Sequence, residues 1–188
     1  MNRQNAVPDT DPWRSPVTVA QVPDTGLHRE IEASVREREA VAEVAGLREI
    51  AFAHASFDVT PMSGGRFNVA GRVRARIGQT CVVTLDPIEN DIDEEIDLIF
   101  APEAEVRQLA DLIEEGQDSE GAEVAEQPEP IINGVIDLGR LATDALFLAI
   151  DPYPRKPGAV FEAEVTALDP EDHPFAALKA LQDKPKGK

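Results

Sequence analysis

From Phe67 to Ile77 the chain alternates with a period of two. Phe67, Val69, Gly71, Val73, Ala75 and Ile77 fall on one side, and Asn68, Ala70, Arg72, Arg74 and Arg76 on the other. Successive strand side chains point to opposite faces, so this pattern predicts a strand with one buried face. Upstream, Arg48 to Thr60 also reads as a strand, but its phase slips. Ile50, Phe52 and His54 share one face while Phe57 and Val59 fall on the other, which predicts a bulge or burial on both sides. Downstream, Gly78-Gln79 reads as a turn into a short strand with Cys81, Val83 and Leu85 on one face. Pro87, which lacks an amide hydrogen, turns the chain again. A further strand then sets Ile88, Ile92, Ile96, Leu98 and Phe100 against Glu89, Asp91, Asp93, Glu95 and Asp97. Consecutive strands with short turns make an antiparallel meander, and the 48–60 strand brings the sheet to four or more.

Helical spacing appears on either side of these strands. Leu27, Ile31 and Val35 stand four apart and Val41, Val44 and Ala45 continue the stripe, interrupted by Arg38. With Thr25 as a cap and Gly46 as a stop, they predict an amphipathic helix over 27–45. Gly139 to Ile150 predicts a second helix with Leu141, Ala145, Leu148 and Ala149 inward, ended by Asp151-Pro152. Trp13 to Val22 reads as an edge strand and Ile131 to Leu138 as a strand bulged at Asn133-Gly134. Phe161 to Leu168 alternates again, and 174–182 fits a short helix. The expected fold is α+β: a curled antiparallel meander with one N-terminal and one C-terminal helix packed on it.

Charge adds a boundary to this picture. Residues 103–130 hold ten acids and one base, half of the net charge of −18. Val106, Leu109, Leu112 and Ile113 allow two or three helical turns there, but beyond Glu114 the glycines, prolines and acids cannot bury enough apolar surface to order the chain. A flexible acidic linker is therefore expected over 114–130. It interrupts one domain spanning 13–182, between a flexible 1–12 and a basic tail at 183–188. A chain so negative does not bind nucleic acid through its overall field; it suits a basic protein partner, or simply solubility. One cysteine cannot close an intrachain disulfide, and no apolar run reaches the ~20 residues of a membrane span. The cytoplasm is the expected location.

No stretch supports catalysis or metal binding. His28, His54 and His173 are scattered, the carboxylates lie on a strand face and in a linker, and Cys81 sits among apolar neighbours with no base beside it. No metal and no cofactor are expected. Two cationic features remain. Arg72, Arg74 and Arg76 form a same-face row about 13 Å long. If the meander order holds, the acidic row lies two strands away, roughly 10 Å, out of direct contact. Two readings stay open: a basic ridge for a partner, or a solvated face satisfied by the acids of 103–130. The other feature is Tyr153-Pro154-Arg155-Lys156-Pro157, whose prolines hold an aromatic and two cations on a stiff segment suited to base stacking and phosphate contact.

Three segments carry a family resemblance: Cys81-Val82-Val83-Thr84-Leu85-Asp86-Pro87-Ile88-Glu89 with its acidic tail; Ile136-Asp137-Leu138-Gly139 leading to Asp151–Gly158; and His173-Pro174-Phe175-Ala176-Ala177-Leu178. Together they resemble the large ribosomal RNA subunit accumulation (YceD-like) family of bacteria and plastids, with Cys81, Leu85, Pro87 and Phe175 as motif positions. Many members carry a Cys-x-x-Cys pair where this chain has Cys81 and Thr84, so no metal or redox pair is expected. The resemblance implies a non-enzymatic ribosome-assembly factor supporting synthesis, processing or accumulation of 23S ribosomal RNA. Its partner would be a large-subunit RNA precursor, a basic ribosomal protein, or both. The alternative is an RNA-processing enzyme or metal-dependent nuclease cofactor using the acidic strand face.

Overall fold

The computed structural model describes residues 11–114 and 127–161. Expectations for residues 1–10, for 115–126 of the linker expected over 114–130, and for everything from 162 onward, Phe175 included, lie outside the described residues. At the linker's ends the expectation is corrected, since Glu114 closes a helix and Glu129 and Pro130 belong to a strand. The chain divides into two compact units between Pro157 and Gly158, and every element below belongs to the first.

Strands β2 (Leu27–Glu32), β3 (Glu49–Pro61), β4 (Phe67–Thr80), β5 (Pro87–Pro102) and β6 (Glu129–Ile131) form a five-stranded sheet in that spatial order. The first four are antiparallel, and β6 adds in parallel to the end of β5. A separate antiparallel pair joins β1 (Pro16–Thr18) to β7 (Val135–Asp137). Helix α1 (Val35–Ala45) packs on β3, α2 (Glu103–Glu114) follows β5, and α3 (Leu138–Ala149) lies against β4 and β5. The fold is α+β with a mostly antiparallel sheet, as the periodicity implied.

The buried face is the one read from alternation. Val69, Val73, Ala75 and Ile77 of β4 meet Phe57 and Val59 of β3, Ile92 and Ile96 of β5, and Leu138, Leu141, Ala142 and Leu146 of α3 in one core. The phase slip of β3 is a bulge between Ile50 and Phe52. It turns Phe52 out, while Ala53, Ala55, Phe57 and Val59 all face inward.

The expected helix over 27–45 is corrected: 27–32 is a strand and the helix begins only at Val35. A spacing of four suits a helix, but it is also twice the strand period, so Leu27 and Ile31 share a face in either conformation. The true start is a capping box. The Glu37 amide donates to the Ser34 hydroxyl at 3.4 Å, and the Ser34 amide to the Glu37 carboxylate at 2.7 Å. Arg38, which breaks the apolar stripe, reaches back to donate to the Ile50 and Ala33 carbonyls at 3.1 and 2.8 Å.

A second correction concerns the turn. β4 runs through Gly78-Gln79 to Thr80, and the chain reverses over Cys81–Asp86, so Cys81, Val83 and Leu85 do not form a strand. The Cys81 amide donates to the Asp86 carbonyl at 2.9 Å and the Leu85 amide to the Cys81 carbonyl at 3.0 Å, with Leu85 in the left-handed region at φ 60°. Pro87 opens β5, where a strand's first residue can spare its amide.

A third correction falls at Asn133-Gly134. With φ of 52° and 72° the pair makes a tight turn, not a bulge, carrying the chain from β6 in one sheet to β7 in the other. Asp137 then caps α3, accepting from the Gly139 and Arg140 amides, and also from the Ser15 amide at 2.8 Å. Gly139 leaves room for the N-terminal segment: a β-carbon there would stand 2.6 Å from the Trp13 carbonyl oxygen.

Candidate functional site

Moving the turn from 78–79 to 81–86 makes β4 and β5 direct neighbours and brings the basic and acidic rows together. In register, Arg72 faces Glu95, Arg74 faces Asp93 and Arg76 faces Asp91. The expectation that the rows stand two strands apart is thereby overturned. Arg76 grips Asp91 with two bonds, Nε–Oδ1 at 2.7 Å and Nη2–Oδ2 at 3.1 Å, and its guanidinium sits 5.9 Å from the Phe52 ring centre. Arg72 bonds Glu95 and lies 3.1 Å from Asp93, and Arg74 comes within 3.4 Å of the other Asp93 oxygen. Among the described residues, the acids that neutralise the row are those of β5.

Ionisation follows this pairing. The hydrogen bond from Arg76 holds Asp91 below the usual carboxylate range, and the bonds to Glu95 and Asp91 raise Arg72 and Arg76 above the ordinary guanidinium value. The register continues the rows across the sheet: Glu32, His54, Arg74 and Asp93 form one line, and Glu30, Ser56, Arg72 and Glu95 the next. Beside them the His28 ring nitrogen lies 2.7 Å from Asp58, and Asn68 bonds Asp97 at 2.6 Å. Carboxylates on β2, β3 and β5 outnumber the three arginines, so the face is net negative. Its acids lie along neighbouring strands. Among the described residues no three His, Cys, Asp or Glu gather as a metal-holding group.

The second site forms where the Cys81–Asp86 turn meets the proline segment after α3. The Val82 amide donates to the Pro154 carbonyl at 2.9 Å, the Lys156 amide to Cys81 Sγ at 3.3 Å, and Lys156 Nζ to Asp86 at 3.0 Å. Gln79, buried at the end of β4, donates to the Asp151 carbonyl at 2.8 Å and accepts from Asn90 at 2.7 Å. Two of the quoted motif segments are thus one structure, with Cys81, Leu85, Pro87 and Lys156 at a single junction. The roles of Gln79 and Asn90 carried no sequence signal, because the Asp151 carbonyl that completes the set lies 72 residues from Gln79. The junction presents Tyr153 (71% exposed), Leu85 (75%) and Val82 (45%), together with exposed Arg155.

The surroundings of Cys81 differ from the apolar strand face that its sequence neighbours implied. Sγ is fully buried but receives the Lys156 amide and, at 3.4 Å, the Thr84 amide. The Lys156 amide first, then the Thr84 side chain and amide, bring its pKa down to about 6 against the opposing effect of burial. Lys156 and Thr84 likewise hold Asp86 below the ordinary carboxylate range.

Fold and surface define an α+β sheet protein with charged groups arrayed along a sheet face and a loop. The family model described as large ribosomal RNA subunit accumulation protein YceD matches residues 69–182, and the chain belongs to that family. Its name ties the chain to accumulation of the large-subunit ribosomal RNA. No curated protein and no solved structure matches the chain. Among the described residues no helix is long and apolar enough to cross a membrane.

Proposed function

We propose that this protein is a non-enzymatic assembly factor that supports large-subunit ribosomal RNA accumulation by binding a basic ribosomal protein through the outer face of its sheet. One observation carries this reading: each arginine of the β4 row already faces a β5 carboxylate. Phosphate contact would require displacing those carboxylates, whereas a lysine-rich partner meets the acids in excess.

The test is Arg72, Arg74 and Arg76 all changed to Gln, expressed in place of the parent and sedimented through ribosome gradients. Removing three positive charges from a face that recruits cations should strengthen association with large-subunit precursors, about threefold at low salt. A sharp loss of association would identify the row as an RNA contact and overturn the proposal.

A second reading rests on a different place. Tyr153 is exposed on a segment fixed by the Pro154, Lys156 and Asp151 hydrogen bonds, and Arg155 has no carboxylate partner among the described residues. An aromatic beside a free cation on a rigid support suits stacking on an unpaired base. Crosslinking of Tyr153 to precursor RNA, abolished in Arg155→Gln, would favour this loop over the sheet face.

A further inference from the structure

The outward edge of β5 has its own chemistry. The hydrogen bond from the Cys81 amide to the Asp86 carbonyl sets the phase of the β4–β5 ladder, and their register is unbroken from Thr80↔Pro87 to Phe67↔Phe100. Hydrogen-bonded and non-bonded pairs alternate in an antiparallel ladder. Ile88, Asn90, Ile92, Glu94, Ile96 and Leu98 therefore turn their amides and carbonyls toward β4. The Gly78 carbonyl, which accepts from the Arg48 amide on the β3 side at 2.8 Å, confirms the phase independently. The backbone groups of Glu89, Asp91, Asp93, Glu95 and Asp97 consequently point away from the sheet. Among the described residues nothing pairs with them: β6 engages β5 only over Phe100–Pro102.

We propose that this edge receives a basic, extended peptide segment, which joins the sheet as a further strand beside β5. The inference rests on the basic-protein reading above and deepens it by naming the form the partner takes. The edge is competent for pairing, because β6 already docks on it three residues further along. Charge selects the occupant. Every outward-pointing residue from 89 to 97 carries a carboxylate, so a second copy of β5 laid alongside would set acid against acid. A segment with Lys or Arg at alternate positions places a cation beside each carboxylate while its backbone completes the ladder. Small or β-branched residues fit between the cations, at the margin of the core face.

The experiment uses the full chain and a synthetic nine-residue peptide alternating Lys with Thr and Val, followed by amide hydrogen exchange. Without peptide, the Asp91, Asp93 and Glu95 amides should exchange quickly and those of Asn90, Ile92 and Glu94 slowly. Peptide should slow the first set at least tenfold and leave the second unchanged. Binding without that period-two protection would overturn strand addition and leave the acidic-face reading intact, whereas no binding at low salt would overturn both. Asp93→Pro and Asp93→Asn separate backbone from charge. Each loses the carboxylate, but only proline loses the outward amide, at a position whose amide the β4 ladder does not use. Asp93→Pro should bind the peptide at least tenfold more weakly than Asp93→Asn, and equal affinities would overturn the proposal. If the proline variant does not fold, the exchange pattern of the parent decides alone.

Discussion

Gly71 sits at the centre of β4, opposite Phe57, and the charged face depends on the pair staying close. A β-carbon at Gly71 would stand 2.4 Å from the Ser56 carbonyl oxygen and 2.5 Å from Phe57 Cδ1. Ordinary contacts lie near 3.5–4 Å, so Gly71→Ala must gain about 1 Å in two directions at once. Neither neighbour yields readily. The Ser56 oxygen belongs to backbone paired with β4, and the Phe57 ring is fully buried in the core. Overpacking of this kind costs about 1–3 kcal/mol, and a strained ladder bond adds about 1 kcal/mol. The entropy gained by replacing glycine offsets ~0.4–1 kcal/mol. The expected net loss is about 2–3 kcal/mol, a shift of roughly 4–12 °C in Tm for a chain of this size. Urea and thermal unfolding of Gly71→Ala, alone and combined with Phe57→Leu, measure it. Shortening the ring should relieve the clash, so alanine should cost less in the leucine background. A neutral or stabilising Gly71→Ala, or the same cost in both backgrounds, would refute the reasoning.

Two further outcomes test other parts of the structure. Arg38→Met keeps the length of the side chain but strands the Ala33 and Ile50 carbonyls, and should lower the urea-derived stability by about 1–3 kcal/mol; an unchanged midpoint would show that water replaces the arginine freely. Cys81 titrates at about 6 in the folded chain against about 8.5 unfolded, so its thiolate favours folding above the unfolded value, and that contribution fades as pH falls toward 6. Thermal unfolding between those limits should show a steeper loss on acidification in the parent than in Cys81→Ala, and parallel curves would mean that the thiol does not ionise in the fold.

What was legible in the sequence was local. The alternation of 67–77 gave the strand and its buried face, and the slipped phase between Ile50 and Phe57 gave the bulge. Gly139 to Ile150 gave α3 to within a residue, but its inward face was misread at Leu148, which is exposed while Leu146 fills the core. The failures share a cause: where local signals are degenerate, a distant partner decides. Leu27 and Ile31 satisfy both periods, and 27–32 becomes a strand because β3 is there to pair with it. Gly78-Gln79 has turn composition, yet the Gln79 side chain is satisfied by the Asp151 carbonyl and Asn90, so the strand continues. The arginine row was legible as one face of one strand, and Tyr153, Arg155 and Lys156 as one stiff loop. What the arginines touch, and that Lys156 closes over Cys81, was not.

That single turn carries the functional argument. With the reversal at 78–79, one strand would separate the arginines from the β5 acids and leave a basic ridge on an acidic protein. With it at 81–86, the same residues cancel across a shared ladder. The acid-rich outer face of the sheet then disfavours phosphate, although the family is named for an RNA. The two facts are compatible if the RNA is protected indirectly, by a factor that handles a basic protein destined for it. The β5 edge supplies what such a factor needs: carboxylates in a row beside backbone groups that no described strand occupies, so that a lysine-rich segment finds charge and hydrogen bonds at one spacing.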